Sequence, residues 1–504
     1  MDEIAIYVTR GNAADKHAQE SLGSAASIQS EGHYASFRNA ECPINGGALT
    51  GFGPGERLFV ASPNKALITT YAWGKESADQ RFPVPEPLSC LTLAKYPPGT
   101  GIYHDSGNID EKDDELDASS IEKPSYSTPW LLAAGSKSGR LYIWELALGD
   151  LVCVKDAHYQ EISSISFSKC GTFLVTGGLD TRIHVWDTLS LVTPALLTGC
   201  KPFATFSNHS LQVTQIEIYS AALVSDFKVY SSSKDGTVCI YDILSKSLLT
   251  TFVLPCAVEC FARDPAGRTI YAGLADGTVR LVPLYVVNPH SNILEAVGGS
   301  GKVVTVEADP NLTSTFVHHV STSNEGALNK DLADKSPLCH PTVMRVSMDG
   351  MQLISGDSCG QTFVADIVTK QVVKAFTACK SPIAYLSVDV CDKKALMAQT
   401  FFEKKHRLLP PLKRILVSVD PLQHSLTMQL SGATETEESF ELWLQQKANE
   451  EFEFTKASFA PSTAASTDIK NDEAVQLQLK LDKVSAAYNE LKDQYEELLA
   501  AHEQ

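Results

Sequence analysis

No stretch of this 504-residue chain approaches the roughly 18 consecutive apolar residues that a membrane-spanning helix requires. The opening residues, MDEIAIYVTRG, carry acid where a secretion signal needs base, and their apolar run is too short for its hydrophobic segment. An intracellular, soluble protein is expected, so the sequons at Asn208 and Asn311 would never meet a glycosylating enzyme. Cysteine occurs 12 times, but without a CxxC pair or a His at metal-ligand spacing. The expectation is reduced, buried core thiols. Cys256 and Cys260, four apart on what reads as one strand, would share a face. Basic charge is in deficit, with 42 Lys and Arg against 60 Asp and Glu and a net charge of −18. An autonomous nucleic-acid binder draws its phosphate affinity from clustered Lys and Arg; this chain, on a nucleoprotein particle, would dock mainly on protein, with direct RNA contact minor. Also missing are a Gly-rich phosphate loop, paired carboxylates in a catalytic motif and a Ser, Cys or His nucleophile arrangement. No catalytic residue, cofactor or metal is expected.

What the chain has is a repeat. Residues 158–187 read HYQEISSISFSKCGTFLVTGGLDTRIHVWD, three short alternating apolar runs separated by Gly turns. Period-two patterning between turn residues means antiparallel strands. One such sheet cannot cover both of its faces, so it must be one copy among several. Trp186 follows Asp180 by six positions, and the same frame sets Ser138 before Trp144, Asp235 before Tyr241, Asp276 before Val282 and Cys359 before Ala365. These turns lie roughly 40 to 55 residues apart, with one gap about twice that, the period of a propeller blade.

A small residue and Gly before a turn Asp, Trp-Asp six residues on and a His ahead of the first strand together resemble the WD40 repeat, over about residues 46–420. The resemblance implies an all-β, seven-bladed propeller in which His158, Thr176, Asp180 and Trp186 form a hydrogen-bonded tetrad that locks the turns together; only this blade has all four. Ser138 and Cys359 replace the turn Asp elsewhere, and Tyr241, Val282 and Ala365 replace Trp, so those blades should lean on apolar packing and partner contacts. Propellers close by pairing the chain ends, which removes open sheet edges. Residues 4–8 or 34–37 are expected to pair with strands near 383–390 and 415–419.

Several segments interrupt the propeller, assigned to residues 1–420. Residues 104–129 are acidic and poor in apolar side chains, as a solvated loop would be. A long insert occupies 288–341; its adjacent His318 and His319 read as a loop accident, while GKVVTVEAD could add a strand at a blade edge. Trp73 is placed at the Trp position of the first blade. A loop at 401–414 carries Lys404, Lys405, Arg407, Lys413 and Arg414, the one dense basic cluster, readable as a solvated loop, an import signal or a phosphate contact. Residues 421–469 read as a linker whose Phe440, Trp443 and Leu444 could share one face of a short helix, either docking a partner or folding back on the propeller wall.

The final segment, 470–504, changes period. Leu477, Leu481, Val484, Tyr488, Leu491, Tyr495 and Leu498 alternate four and three apart, a heptad seam after an acidic helix start at Asp468, Asp472 and Glu473. So narrow a seam needs a second helix. The expectation is an α-helical coiled-coil tail that forms a homodimer, with a partner's helix or packing within the chain as alternatives.

The strong third blade opening on HYQEISSISF after the short connection WELALGDL, the sixth blade after a long insert, and the terminal coiled coil are together similar to one family. This is the family of WD-repeat pre-rRNA-processing subunits of the complex that docks the midasin AAA ATPase on precursors of the large ribosomal subunit. The resemblance implies a non-catalytic nuclear scaffold, in the nucleoplasm and nucleolus. Its partners would be the other subunits of that complex, the midasin ATPase and the pre-60S particle. It would support spacer RNA processing and large-subunit maturation and export, with no membrane contact. The alternative classes are a substrate-recognition adaptor of a ubiquitin ligase and a replication-licensing scaffold.

Overall fold

The computed structural model describes residues 2–11, 21–52, 56–95, 129–193, 200–219, 227–287, 294–299, 301–307, 314–319, 339–391 and 408–416. The acidic segment 104–128, Lys404, Lys405, Arg407, the linker and the seven seam residues lie outside them.

Seven twisted antiparallel sheets form the blades of a propeller. The third blade shows why the sequence builds one. Ile162–Phe167, Phe173–Gly178, Ile183–Asp187 and Ala204–Phe206 pair in that order, and the central strands are buried on both faces, Phe173 and Val175 on one and Leu174 on the other. Gly177 lets the inner layers approach: a Cβ there would sit 2.3 Å from Ile216 of the next blade. The apolar clusters lie between successive blades. Leu174 and Trp186 of the third pack with Leu131, Ile143 and Cys153 of the second, and Phe173, Val175 and Val185 pack with Ile216, Val229 and Tyr241 of the fourth. Burial at roughly 25 cal/mol per Å² of apolar surface therefore accrues to neighbouring pairs of blades, so each blade draws part of its stability from its neighbours.

The ring closes through its N-terminus. Asp2–Thr9 pairs antiparallel with Ile383–Cys391, placing Ile4 opposite Asp389 and Tyr7 opposite Leu386. Leu22–Ser27 and His33–Arg38 add outward from it. The N-terminal segment thus contributes three of the four strands of the closing blade, where a single strand, 4–8 or 34–37, was expected. Ile415 and Leu416 do not join this sheet, and residues 417–419 lie outside the described residues. Leu416 instead bridges Leu151 at the outer edge of the second blade.

Three other expectations need correction. The 288–341 region is not a simple insert: besides Lys302–Thr305, which adds an edge strand as GKVVTVEAD suggested, here a fifth, parallel strand on the fourth blade, Thr315–Phe316 completes the fifth blade and Pro341–Val346 begins the sixth. The Trp position of the first blade belongs to Tyr71. It pairs with Leu58 as Trp186 pairs with Leu174, whereas Trp73 lies two residues on and donates to the Gly51 carbonyl at 3.1 Å. Cys256 and Cys260 do not share a strand face, because Cys256 precedes Val258–Arg263 and turns to Asp276 while Cys260 is buried against Pro341.

Candidate interaction sites on the propeller

The first site is the polar corner where the loop entering a blade meets the turn between its second and third strands. In the third blade His158 Nδ1 lies 2.9 Å from Asp180 Oδ1, His158 Nε2 lies 2.9 Å from Thr176 Oγ1, and Trp186 Nε1 donates to Thr176 Oγ1 at 3.1 Å. Asp180 also accepts from the amide of Tyr159 at 3.2 Å. The His158 side chain is fully buried. Burial pushes the Asp180 carboxyl up, but the hydrogen bond and charge of His158 and the backbone amides outweigh it, and the group lies below its ordinary value. Beside it, burial and then the neighbouring His158 push His184 down to about 4, so the ring is neutral; its Nδ1 meets Thr205 Oγ1 at 3.0 Å.

The fourth blade keeps most of this network without Trp. His209 Nε2 meets Ser231 Oγ at 2.7 Å, its Nδ1 lies 2.9 Å from Thr237 Oγ1 and 3.5 Å from Asp235, and Tyr241, stacked on Phe206, fills the Trp position. Burial raises the Asp235 carboxyl, and bonds from His209 and Thr237 more than offset it, leaving it well below the carboxylate range.

The sixth blade overturns the reading of the paired histidines. His319 is buried and is that blade's tetrad histidine, 2.7 Å from Ser355 Oγ and 3.2 Å from Asp357 Oδ2. The acid is two residues earlier than in the third blade, which the fixed spacing from Ala365 missed by aligning Cys359. Cys359 is joined to Cys339 in a disulfide with Cα atoms 5.7 Å apart, correcting the expectation of reduced thiols for this pair. His318 is held neutral, pushed down to about 3 by burial and then by His319.

The second site is the outer rim of the first two blades, where residues 408–416 dock as a strap. Leu409 and Leu412 are buried in the cluster of Phe82, Trp144 and Leu151. The Gln80 side chain brackets Leu409, accepting from its amide at 3.0 Å and donating to its carbonyl at 2.9 Å. Trp144 Nε1 donates to the Lys413 carbonyl at 2.9 Å, and Lys413 N donates to the Gly149 carbonyl at 2.8 Å. Gly149 has φ +72°, and a Cβ there would meet the Pro411 carbonyl at 2.4 Å, so this approach requires glycine. Lys413 pairs with Asp150. The expected basic loop is therefore split: Lys413 is spent on the propeller, Arg414 is exposed, and the other three bases lie outside the described residues. The Leu-Leu-Pro-Pro-Leu run at 408–412 was the available signal for a docked extended segment, masked by the bases around it.

A cavity of about 230 Å³ lies on the propeller axis, lined by inner-strand residues including Thr92, Ser164, Gln215, Glu217 and Arg345. Its polar groups serve the fold: Gln215 accepts from the Phe261 amide and Ser164 from the Ile216 amide, both at 3.1 Å. Among the described residues no group of three or more His, Cys, Asp or Glu is arranged to hold a metal ion.

The WD domain, G-beta repeat model matches residues 149–187 and 200–242, the third and fourth blades, whose corners are most complete. Over its whole length the chain is 45% identical to the pre-rRNA-processing protein IPI3 of Candida albicans, covering 98% of that protein. It is 43% identical to the IPI3 protein of Scheffersomyces stipitis, again over 100% of this chain and 98% of that one. The pre-rRNA-processing protein crb3/ipi3 of Schizosaccharomyces pombe is 28% identical over 72% of each chain. A seven-bladed WD-repeat propeller alignable over its full length with the first two of these proteins belongs to the IPI3 family of pre-rRNA-processing proteins.

Proposed function

We propose that this protein is a non-catalytic scaffold subunit of a nuclear ribosome-assembly complex, supporting pre-rRNA spacer processing and the maturation and export of the large ribosomal subunit. The observation that carries the reading is the full-length identity of 45% to a protein named for pre-rRNA processing. The physical character of the propeller supports it. Among the described residues the polar groups of the corners and inner strands are tied into hydrogen bonds that hold the blades, as suits a body that works through its surfaces. The net charge of −18 favours attachment through protein partners, including a midasin-type ATPase on the pre-60S particle, over direct attachment to RNA. In this reading the segment 470–504 forms a coiled coil through Leu477, Leu481, Val484, Tyr488, Leu491, Tyr495 and Leu498 that pairs two copies of the chain.

Affinity purification of the tagged full-length chain tests the function. Recovery of large-subunit rRNA precursors with a giant AAA ATPase is expected; recovery of a cullin and its adaptor instead would replace the scaffold by a ubiquitin-ligase adaptor. Deleting residues 468–504 is expected to halve the native mass by light scattering. An unchanged mass refutes the pairing.

A further inference from the structure

We propose that Cys339 and Cys359 form a reversible, thiol-responsive clamp on the sixth blade. The geometry that carries this is a substitution of one kind of tie for another. In the third and fourth blades the turn Asp holds the incoming loop twice, through the His and through the amide of the residue after it: Asp180 with His158 and Tyr159, Asp235 with His209 and Ser210. In the sixth blade His319 still reaches Asp357 and Ser355, but 21 residues then separate it from the inner strand Pro341–Val346. The chain must be caught again on its return. It is caught at the same turn: Cys339 bonds to Cys359, which occupies the Asp180 position, the Ser358 amide donates to the His340 carbonyl at 2.9 Å, and the His340 amide donates to Ser358 Oγ at 3.2 Å. The two residues that flank 320–338, His319 and Cys339, are therefore both fastened to one four-residue turn, one by hydrogen bonds and one by a covalent bond.

Accessibility separates this pair from the enclosed cysteines, although Cys256 and Cys379 share its partial burial. Cys339 and Cys359 are only partly buried, whereas Cys42, Cys90, Cys153 and Cys260 are enclosed and burial raises each of those thiols. A small disulfide of the glutathione class can reach the first group and not the second. In the oxidising direction one protein thiolate attacks the small disulfide and releases a small thiolate. The second protein thiolate then attacks the mixed disulfide and releases the other. Two electrons pass from the cysteine sulfurs to the small disulfide, and the two cysteine protons end on the departing thiols or in solvent. A reducing compartment runs the same steps backwards, freeing the Cys339 end while His319 stays tied.

The test uses the full-length chain equilibrated in glutathione buffers of graded poise, quenched with acid and mapped by differential alkylation. Cys339 and Cys359 are expected to oxidise together, joined to each other, while Cys42, Cys90 and Cys260 stay reduced. Oxidation is expected to slow hydrogen exchange at the Cys359 and Gln361 amides, which donate to Asp357 at 3.0 and 2.7 Å, by about tenfold. Cys339→Ser, at a partly exposed position outside the strands, should fold and exchange at the reduced rate at every poise. Linkage of Cys359 to the neighbouring Cys379, reduced Cys339 across the whole range, or exchange in the variant that matches the oxidised protein would each overturn the clamp.

Discussion

Replacing Asp180 by Ala isolates the tetrad of the third blade. The carboxylate accepts from His158 Nδ1 at 2.9 Å and from the amides of Tyr159 and Arg182 at 3.2 and 3.3 Å. The two amides are near solvent and can turn to water, so each contributes little. The His158 ring has no such recourse, being fully buried with its other nitrogen committed to Thr176. A hydrogen bond to a charged acceptor contributes about 1.5–3 kcal/mol, and stranding the buried donor adds about 1–3 kcal/mol, so a local loss of roughly 3–4 kcal/mol is expected. Global unfolding of a repeat ring is a poor readout, because blades can open separately. Native-state hydrogen exchange at Gly178 and Leu179 is better, since their amides close this corner on Arg182 and Glu161. Trp186→Phe should cost about 2 kcal/mol, about 1 kcal/mol from losing the donor to Thr176 and the rest from the buried ring volume that Phe leaves unfilled. If Thr176 transmits between the ends, the double variant deviates from additivity by at least about 0.5 kcal/mol. Unchanged exchange in Asp180→Ala, or strict additivity, would refute the tetrad as a lock.

Three further outcomes follow from the same geometry. His184 is held neutral with its pKa lowered to about 4, so the unfolded chain binds its proton first; stability is complete above about pH 6.5 and falls by up to about 3 kcal/mol as pH drops from 6.5 to 4. His184→Gln should make the fall over that interval shallower in urea titrations, the remainder coming from His318, which is likewise held down to about 3; an equally steep profile would show that His184 contributes none of it. Leu409→Asp with Leu412→Asp, at positions 6% and 5% exposed, forfeits roughly 2 kcal/mol of burial at each. Limited proteolysis should then cut at Lys413 in an otherwise resistant propeller, and protection of Lys413 would contradict the strap. Thr181 has φ +70°, where the second, fourth, fifth and sixth blades place Gly139, Gly236, Gly277 and Gly360. Thr181→Gly should therefore raise the stability of this turn by about 1 kcal/mol, read by exchange at Gly178; a loss would show that the threonine side chain compensates its own strain.

The sequence by itself determined the class of fold and its count of blades. Alternating strands with Gly turns at a 40-residue period cannot bury their faces except by stacking radially, and this logic is local enough to read from residues such as Ile162, Ile165, Asp180 and Trp186. It also marked GKVVTVEAD as an edge strand, though not that its residues 302–305 would pair with the fourth blade. Tertiary structure alone decided which partner each distant segment found. His319 looked idle because 35 residues separate it from Ser355, and only the ring brings the end of one blade against the turn of the next. Cys359 looked like a lost aspartate until folding set it beside Cys339, and the Lys413 charge looked free until Asp150 faced it. Periodicity is written in neighbouring residues, whereas a hydrogen bond, a disulfide or an ion pair depends on where the closed ring delivers two groups that the chain keeps far apart.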